Sequence, residues 1–136
     1  MTKTTAMAAM AAMTLGRQGE AFAAAYYRER GAQVVGMNVR CASGEIDLIV
    51  REPGGTVVFV EVKTRSGNAF GGAEAVDSRK LSRMRRAAAH WLRDKPWQRV
   101  RFDVLVLTVA DRDADSRCER LTFHAQRYEG VESGAR

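Results

Sequence analysis

Residues 56–65, TVVFVEVKTR, begin as an apolar β-strand and end with a carboxylate and an ammonium. Side chains alternate between the two faces of a strand, so three valines share one face, which we assign to the core: Val58, Val60 and Val62. Glu61 and Lys63 share the other face, about 6 to 7 Å apart along the strand. Because burying an unpartnered charge is costly, these two side chains must be solvated, paired, or completed by something bound.

The preceding stretch GEIDLIVRE, residues 44–52, reads as a second strand, joined to the first by the turn PGG. If Pro53, Gly54 and Gly55 form a three-residue loop, Asp47 lies opposite Glu61. A loop with an even number of residues would place the two acids on opposite faces unless a β-bulge intervened. We therefore predict an odd loop or a bulge.

Two carboxylates that face each other across a strand pair repel unless a cation lies between them. Hard oxygen ligands favour Mg²⁺ or Mn²⁺ over zinc. The competing interpretation is a solvated Glu61–Lys63 ion pair on a strand surface, with no chemical role. Asp47 on the neighbouring strand raises the metal site to equal standing with that alternative, and both interpretations stay open at this point.

The rest of the chain alternates helical and extended patterns around this strand pair. Apolar residues at helical spacing predict two helices, the second followed by a nearly all-apolar strand that indicates a parallel crossover. Residues 15–125 are therefore predicted to form one α/β domain, a mixed β-sheet flanked by helices, between a flexible leader at 1–14 and a flexible tail at 126–136. The predicted helices span 15–30 and 77–93, and the other predicted strands span 32–40, 100–109 and 121–124. Arg101 and Asp103 are expected to pair at the start of the last long strand.

The composition favours a polyanionic partner. Lys and Arg number 22 against 16 Asp and Glu, giving a net charge of +6 and a pI near 9.9. Cys41 and Cys118 stand apart from each other and from histidine, so neither a zinc site nor a disulfide framework is indicated. No apolar run approaches the ~20 residues that a bilayer-spanning helix needs. We expect a cytoplasmic protein with no membrane partner.

The order of Asp47 and then Glu61-Val62-Lys63, one hairpin apart, resembles the PD-(D/E)xK nuclease superfamily of restriction enzymes and Holliday-junction resolvases. Five motifs in this order also look like the YraN-type bacterial family, whose small proteins are similar to resolvase-like nucleases: LGRQGEAFAAAYY, NVRCASGEIDLIV, VVFVEVKTR, AFGGAEAV and RFDVLV. The resemblance covers about residues 15–109. It implies a restriction-endonuclease-like fold and a Mg²⁺- or Mn²⁺-dependent endonuclease.

The resemblance also implies a role for each acidic position. Asp47, Glu61 and the Val62 carbonyl would be metal ligands. Glu20 on the first helix would complete the acidic cluster, and Glu45 would be a further or outer ligand. Lys63 would orient or deprotonate the attacking water, or stabilise charge on the phosphate. One departure is that Ile46 stands where the superfamily motif has proline.

Basic residues on the second helix and beside the acidic strands are candidate phosphate contacts: Arg40, Arg65, Arg79, Lys80, Arg83 and Arg86. Since no sequence-reading motif is present, we expect branched or structured DNA as the substrate. A junction cutter needs two active sites, so a homodimer would follow. Two alternatives remain open, a non-catalytic nucleic-acid-binding or repair accessory protein on the same scaffold and an interaction protein with a surface ion pair.

Overall fold

The computed structural model describes residues 14–66, 78–112 and 121–131. Within these ranges the chain forms two helices and five strands, close to the bounds that the sequence predicts. In chain order they are α1 (Leu15–Glu29), β1 (Gln33–Cys41), β2 (Gly44–Arg51), β3 (Val57–Arg65), α2 (Ser78–Leu92), β4 (Val100–Arg112) and β5 (Leu121–Tyr128). Neither described helix is long and apolar enough to cross a bilayer.

The five strands form one mixed sheet in the order β1-β2-β3-β4-β5. β3 and β4 are parallel and lie on either side of α2 in the chain, whereas the other neighbouring strands are antiparallel. The prediction of a single α/β domain with a mixed sheet flanked by helices is confirmed, and the architecture is compatible with a restriction-endonuclease-like fold.

The C-terminal boundary lies further along the chain than the sequence predicts. β5 continues to Tyr128, because Gln126, Arg127 and Tyr128 pair with residues of β4. The tail that was predicted to start at residue 126 therefore begins with three strand residues. Residues 1–13 of the predicted leader and residues 132–136 of the predicted tail lie outside the described part of the chain.

Both faces of the sheet are buried, so the assignment of the valine face of β3 to the core is confirmed for Val58 and Val60, and the opposite face belongs to the core as well. Val58 and Val60 pack with Leu48 and Val50 under α1. The opposite face, including Phe59, packs under α2. A helix on each face buries both sides of β3, which is why apolar residues dominate its first half.

The turn between β2 and β3 has the predicted odd length. The Glu52 N–H donates to the Thr56 carbonyl at 2.9 Å, and Gly55 N–H donates back to the Glu52 carbonyl at 2.8 Å. Gly55 has φ +98°, a conformation that glycine adopts without steric cost. The strand register then runs from the pair Arg51–Val57 to the pair Leu48–Val60.

The buried carboxylate of Asp103 connects β4 to α1 and to the residues that follow β5. Asp103 on β4 is fully buried and accepts a hydrogen bond from the Tyr27 hydroxyl at 2.8 Å. It also accepts two bonds from Arg101, at 2.9 and 3.1 Å, and one from the Gly130 N–H at 3.1 Å. The predicted Arg101–Asp103 pair is confirmed as a structural network.

Thr14 caps the N-terminus of helix α1, because its side chain accepts a hydrogen bond from the Arg17 N–H at 3.2 Å. Its sheet-facing side carries Gly19, Ala23, Ala24 and Tyr27, all buried. A Cβ atom at Gly19 would overlap the Thr64 hydroxyl on β3, so glycine allows the helix to approach the strand closely. This contact fixes the height of the next residue, Glu20, above the sheet.

Replacing Gly19 by alanine should lower the free energy of unfolding by about 1 to 3 kcal/mol, because the added methyl group must displace Thr64 or the helix. Adding Thr64→Ala should recover part of the loss, because it removes the hydroxyl and methyl that clash. The matched control is Gly16→Ala on the same helix, where Thr14 Oγ1 lies 4.0 Å from the position that the new methyl group would take. This change should be neutral or stabilising by up to about 1 kcal/mol. Urea unfolding of the wild type and these three variants measures the differences, and equal losses for Gly19→Ala and Gly16→Ala would contradict the close-contact account.

Candidate functional site

The site forms where the pairing between β2 and β3 stops. The next residues in register after Leu48–Val60 are Asp47 and Glu61, and the strand ladder does not continue to them. Instead, the Asp47 carboxylate accepts a hydrogen bond from the Val62 N–H, with Oδ2 2.9 Å from the nitrogen. A side chain thus satisfies a backbone donor that would otherwise pair with β2.

The strand is also irregular on its other edge. Met37 pairs with Leu48 and Val39 with Ile46, so Asn38 stands beside Asp47, but the two do not form a ladder pair. Asn38 has φ 50°, in the left-handed region that asparagine tolerates better than most residues. Ile46 packs in the same cluster as Ile49, three residues later, so strict alternation fails across Asp47.

An open cavity of about 610 Å³ lies over this gap. Residues from β2, β3 and both helices line it, because the gap admits side chains from either face of the sheet. The charged lining residues are four acids and three bases: Glu20, Glu45, Asp47, Glu61, Arg40, Lys80 and Arg83.

Asp47 is the acid with the most perturbed titration. Burial and then the nearby charge of Glu61 raise its pKa to about 7, although the bond from the Val62 N–H acts in the opposite direction. A carboxyl group that titrates near neutral pH, next to another acid in a cavity, is typical of a functional site.

Glu20 enters the cavity from α1. Burial raises its pKa, a hydrogen bond with Asn38 lowers it, and the charge of Asp47 raises it further. Its Oε1 atom is buried and has no hydrogen-bond partner among the described residues, although the Arg17 guanidinium lies 3.6 Å away. An acceptor left in this state has capacity for a further cation or donor.

Glu61 is buried, with its side chain 5% exposed, and it faces Lys80 of α2. The Lys80 Nζ lies 2.6 Å from Glu61 Oε2. Burial acts to lower the pKa of Lys80, but the hydrogen bond and charge of Glu61 outweigh burial and the pKa is raised. Lys80 therefore carries a positive charge at neutral pH beside the Glu61 carboxyl group.

The structure brings all five predicted metal ligands to the cavity: Glu20, Glu45, Asp47, Glu61 and Val62. Glu45 is exposed and paired with Arg40 at 3.2 Å. Lys63 is not among the lining residues; it is half-buried on β3, beside Val106 of β4. Of the predicted phosphate contacts, three line the cavity, Arg40, Lys80 and Arg83, and three do not, Arg65, Arg79 and Arg86.

The donor set suits a hard divalent ion, since it offers carboxylate oxygens, a backbone carbonyl and an unpartnered Glu20 oxygen. In the described part of the chain, however, no three acidic, histidine or cysteine side chains converge closely enough to hold a metal ion as they stand. The engagement of Glu61 by Lys80 is consistent with this, because it draws that carboxylate towards α2. The oxygen ligands that these residues offer suit a divalent metal ion, but Glu61 would have to release Lys80 before it could bind one.

Two contributors to the site were not predicted in these roles. Lys80 was predicted as a phosphate contact and not as a partner of Glu61, but Met84 and Ala87, four and seven residues later, are both buried. That spacing places Lys80 on the sheet-facing stripe and could have identified it. Asn38 gave no comparable signal, because its role depends on the break in strand pairing beside Asp47.

Comparison with known proteins places the chain among a set of similar sequences. The model of "Uncharacterised protein family UPF0102" matches residues 19–107. A UPF0102 protein of Corynebacterium efficiens is 45% identical over 122 residues, covering 90% of this chain and 94% of the relative. UPF0102 proteins of Nocardia farcinica and Mycobacterium bovis are 51% and 42% identical, over 67% and 81% of this chain and 73% and 89% of their own lengths.

The raised pKa of Asp47 predicts a pH dependence of stability. Between its ordinary value of 3.8 and about 7, the folded protein retains a proton that the unfolded chain releases. The stability contributed by protonated Asp47 is complete below pH ~4 and is lost as the pH rises through 7, at up to about 1.4 kcal/mol per pH unit. Asp47→Asn should therefore become more stable relative to the wild type as the pH rises.

Urea unfolding of the metal-free proteins across this pH range measures the difference between variant and wild type, in which background titrations cancel. Asp94→Asn, at an exposed aspartate beyond α2, is the control and should show a flat difference. A flat difference for Asp47→Asn as well would refute the titration assigned to Asp47.

Proposed function

The chain belongs to UPF0102, the YraN-type family that its motifs predict, and we propose that it is a divalent-metal-dependent endonuclease acting on structured or branched DNA. The observation that carries this proposal is the meeting of Asp47 and Glu61 at the open end of the β2–β3 ladder, with Glu20 and Val62 in the same cavity. The resolvase-like PD-(D/E)xK relationship is part of the proposal.

Phosphodiester hydrolysis needs a water molecule aligned with the leaving oxygen and cations that offset the negative charge developing on the phosphate. Mg²⁺ or Mn²⁺, held by Asp47, Glu61, the Val62 carbonyl and Glu20, would supply Lewis acidity and a nucleophile at neutral pH. Glu45 would support this set from the exposed edge. These oxygens lie in one cavity, which supports the assignment.

Lys63 would act on the substrate side. It follows Glu61 by two residues on β3 and so shares its face by alternation. In the proposed reaction its ammonium orients the water or stabilises the phosphate, without binding the metal. Its half-buried position outside the cavity lining is compatible with a group that contacts bound DNA.

The basic residues around the cavity support a polyanionic substrate. Arg79, Arg83 and Arg86 are exposed and follow one another at helical spacing on α2, and Arg83 also lines the cavity. Arg40 of β1 also lines the cavity, and Arg65 is the last residue of β3. A basic rim can hold phosphates close to an acidic centre that would repel them alone.

The setting we propose is the cytoplasm, where such DNA is found. Symmetric cutting of a junction would require two copies of the proposed active site, so the proposed active species on that substrate is a homodimer.

Asp47→Asn and Glu61→Gln should each lower cleavage of a four-way DNA junction by about 100-fold or more, because each removes a carboxylate ligand of the proposed metal ion. The assay uses purified protein with Mg²⁺ or Mn²⁺, and parallel reactions test duplex and single-stranded DNA. Asp94→Asn is the control and should cleave like the wild type.

Lys63→Met should slow cleavage by roughly 10²- to 10⁴-fold and leave Mn²⁺ affinity unchanged, which separates its role from that of the ligands. If the wild type cuts none of these DNAs in either metal and Glu61→Gln behaves identically, the nuclease proposal fails. DNA binding that depends on salt but not on metal would then favour the non-catalytic accessory role.

Arg79→Gln and Arg83→Gln should each weaken DNA binding similarly for all sequences. Together they should reduce the slope of log affinity against log salt by about 2, because each phosphate contact releases about one counterion. Fluorescence anisotropy of a labelled junction between roughly 50 and 200 mM salt measures the slope. Arg28→Gln, at an exposed arginine in the last turn of α1, should leave it unchanged, and an unchanged slope in the double variant would exclude α2 from the interface.

A further inference from the structure

Lys80 places a positive charge inside the acidic cavity. Its Nζ lies 2.6 Å from Glu61 Oε2, and its side chain is 43% exposed whereas that of Glu61 is 5% exposed. A carboxylate buried to this degree requires a cation, because its desolvation would otherwise cost several kcal/mol. In the structure, Lys80 meets that requirement.

The position of Lys80 is determined by helix packing. Lys80, Met84 and Ala87 occupy one stripe of α2, and the last two are buried in the core beneath it. A Cβ atom at Gly44 would lie 2.7 Å from the Arg83 carbonyl oxygen, so the helix backbone approaches β2 as closely as a glycine permits. Helix packing thus fixes the backbone at Lys80, and the long side chain extends from there to Glu61.

Three of the four acids that line the cavity have a basic side chain within 4 Å. Glu45 pairs with Arg40, Glu20 lies 3.6 Å from Arg17, and Glu61 pairs with Lys80. Lys80 also acts on Asp47 through its charge, in the direction that favours the ionised carboxyl. An incoming divalent ion would therefore compete with a cation that the chain itself supplies.

We propose that Lys80 is a tethered counter-ion that occupies the cation position between α2 and Glu61 and must leave Glu61 before a divalent metal binds. This inference rests on the proposed metal-dependent function. Lys80 stabilises the metal-free fold and weakens the apparent metal affinity, so the occupancy of the site depends on the metal concentration. It is thus a binding-determining residue, distinct from the ligands.

Mn²⁺ titration by isothermal calorimetry into wild type, Lys80→Gln and Lys80→Met tests the exchange. Both variants should bind Mn²⁺ with a dissociation constant lower by about tenfold or more, because a competing unit charge in a half-buried site has been removed. Arg79→Gln, which removes the neighbouring exposed charge, should stay within about twofold of the wild type. Adding Asp47→Asn to Lys80→Gln should abolish the gain.

Metal-free thermal unfolding gives a second readout. Lys80→Met should unfold at a lower temperature than the wild type, since it leaves Glu61 buried without its cation, and Mn²⁺ should raise its unfolding temperature more than it raises that of the wild type.

A third measurement uses the wild type alone and does not depend on how the variants fold. Reductive methylation of the Lys80 amine, followed by mass spectrometry, should accelerate when saturating Mg²⁺ or Mn²⁺ is added. The methylation rate of Lys95, an exposed lysine beyond α2, should not change.

The outcomes separate this inference from the proposed function. Equal or weaker Mn²⁺ affinity in the Lys80 variants, or an unchanged methylation rate in a wild type that binds the metal, overturns the exchange and leaves the nuclease proposal standing. Absence of Mn²⁺ binding in the wild type and in both variants overturns the two together. Binding by the variants alone supports the exchange.

Discussion

The hydrogen bond from the Val62 N–H to the Asp47 carboxylate is the interaction on which the site depends. It replaces the backbone partner that β2 would have supplied had the ladder continued past Leu48 and Val60. Because a side chain satisfies the donor, the two strands can separate without leaving a buried amide unpaired. The gap admits Glu61 from β3 and side chains from both helices, so one local change in pairing creates the cavity.

Two glycines set how closely the helices approach this gap. Gly19 lets α1 contact Thr64 on one face of the sheet, and Gly44 lets the backbone of α2 contact β2 on the other. Glu20, which follows Gly19 in the chain, and Arg83, whose backbone contacts Gly44, thereby reach the same cavity from opposite faces of the sheet. The positions of the charged residues in the cavity therefore depend on two close helix–sheet contacts, each of which requires an uncharged glycine.

The sequence predicts those parts of the structure that local rules determine. The alternation in β3 and the length of the PGG turn together predict that Asp47 lies opposite Glu61. The observed turn has the predicted odd length, and the strand register that it sets reaches Leu48–Val60, the pair next to these two acids. The burial of both faces of β3 was missed, because alternation identifies two faces but does not reveal that each is covered by a helix. Lys80 was predicted as a phosphate contact, but its pairing with Glu61 was missed, although the spacing to Met84 and Ala87 assigns it to the sheet side. Asn38 could not be predicted, since its conformation follows from a break in pairing that no residue type signals.

The two buried carboxylates of the described chain differ in how firmly their charges are held. Asp103 accepts hydrogen bonds from Arg101, Tyr27 and the Gly130 N–H, and Arg101 is itself held by Glu52 at 2.7 and 3.0 Å. To exchange the partner of Asp103, several elements would have to separate, so its ion pair is structural. Glu61 instead faces an ammonium on a flexible, half-exposed side chain at the edge of an open cavity. Displacing that ammonium returns its charge to water on a side chain that is already 43% exposed. Both acids are buried, and the exposure of the partner distinguishes Glu61, whose counter-ion we propose to be exchangeable, from Asp103, whose counter-ion is held within the fold.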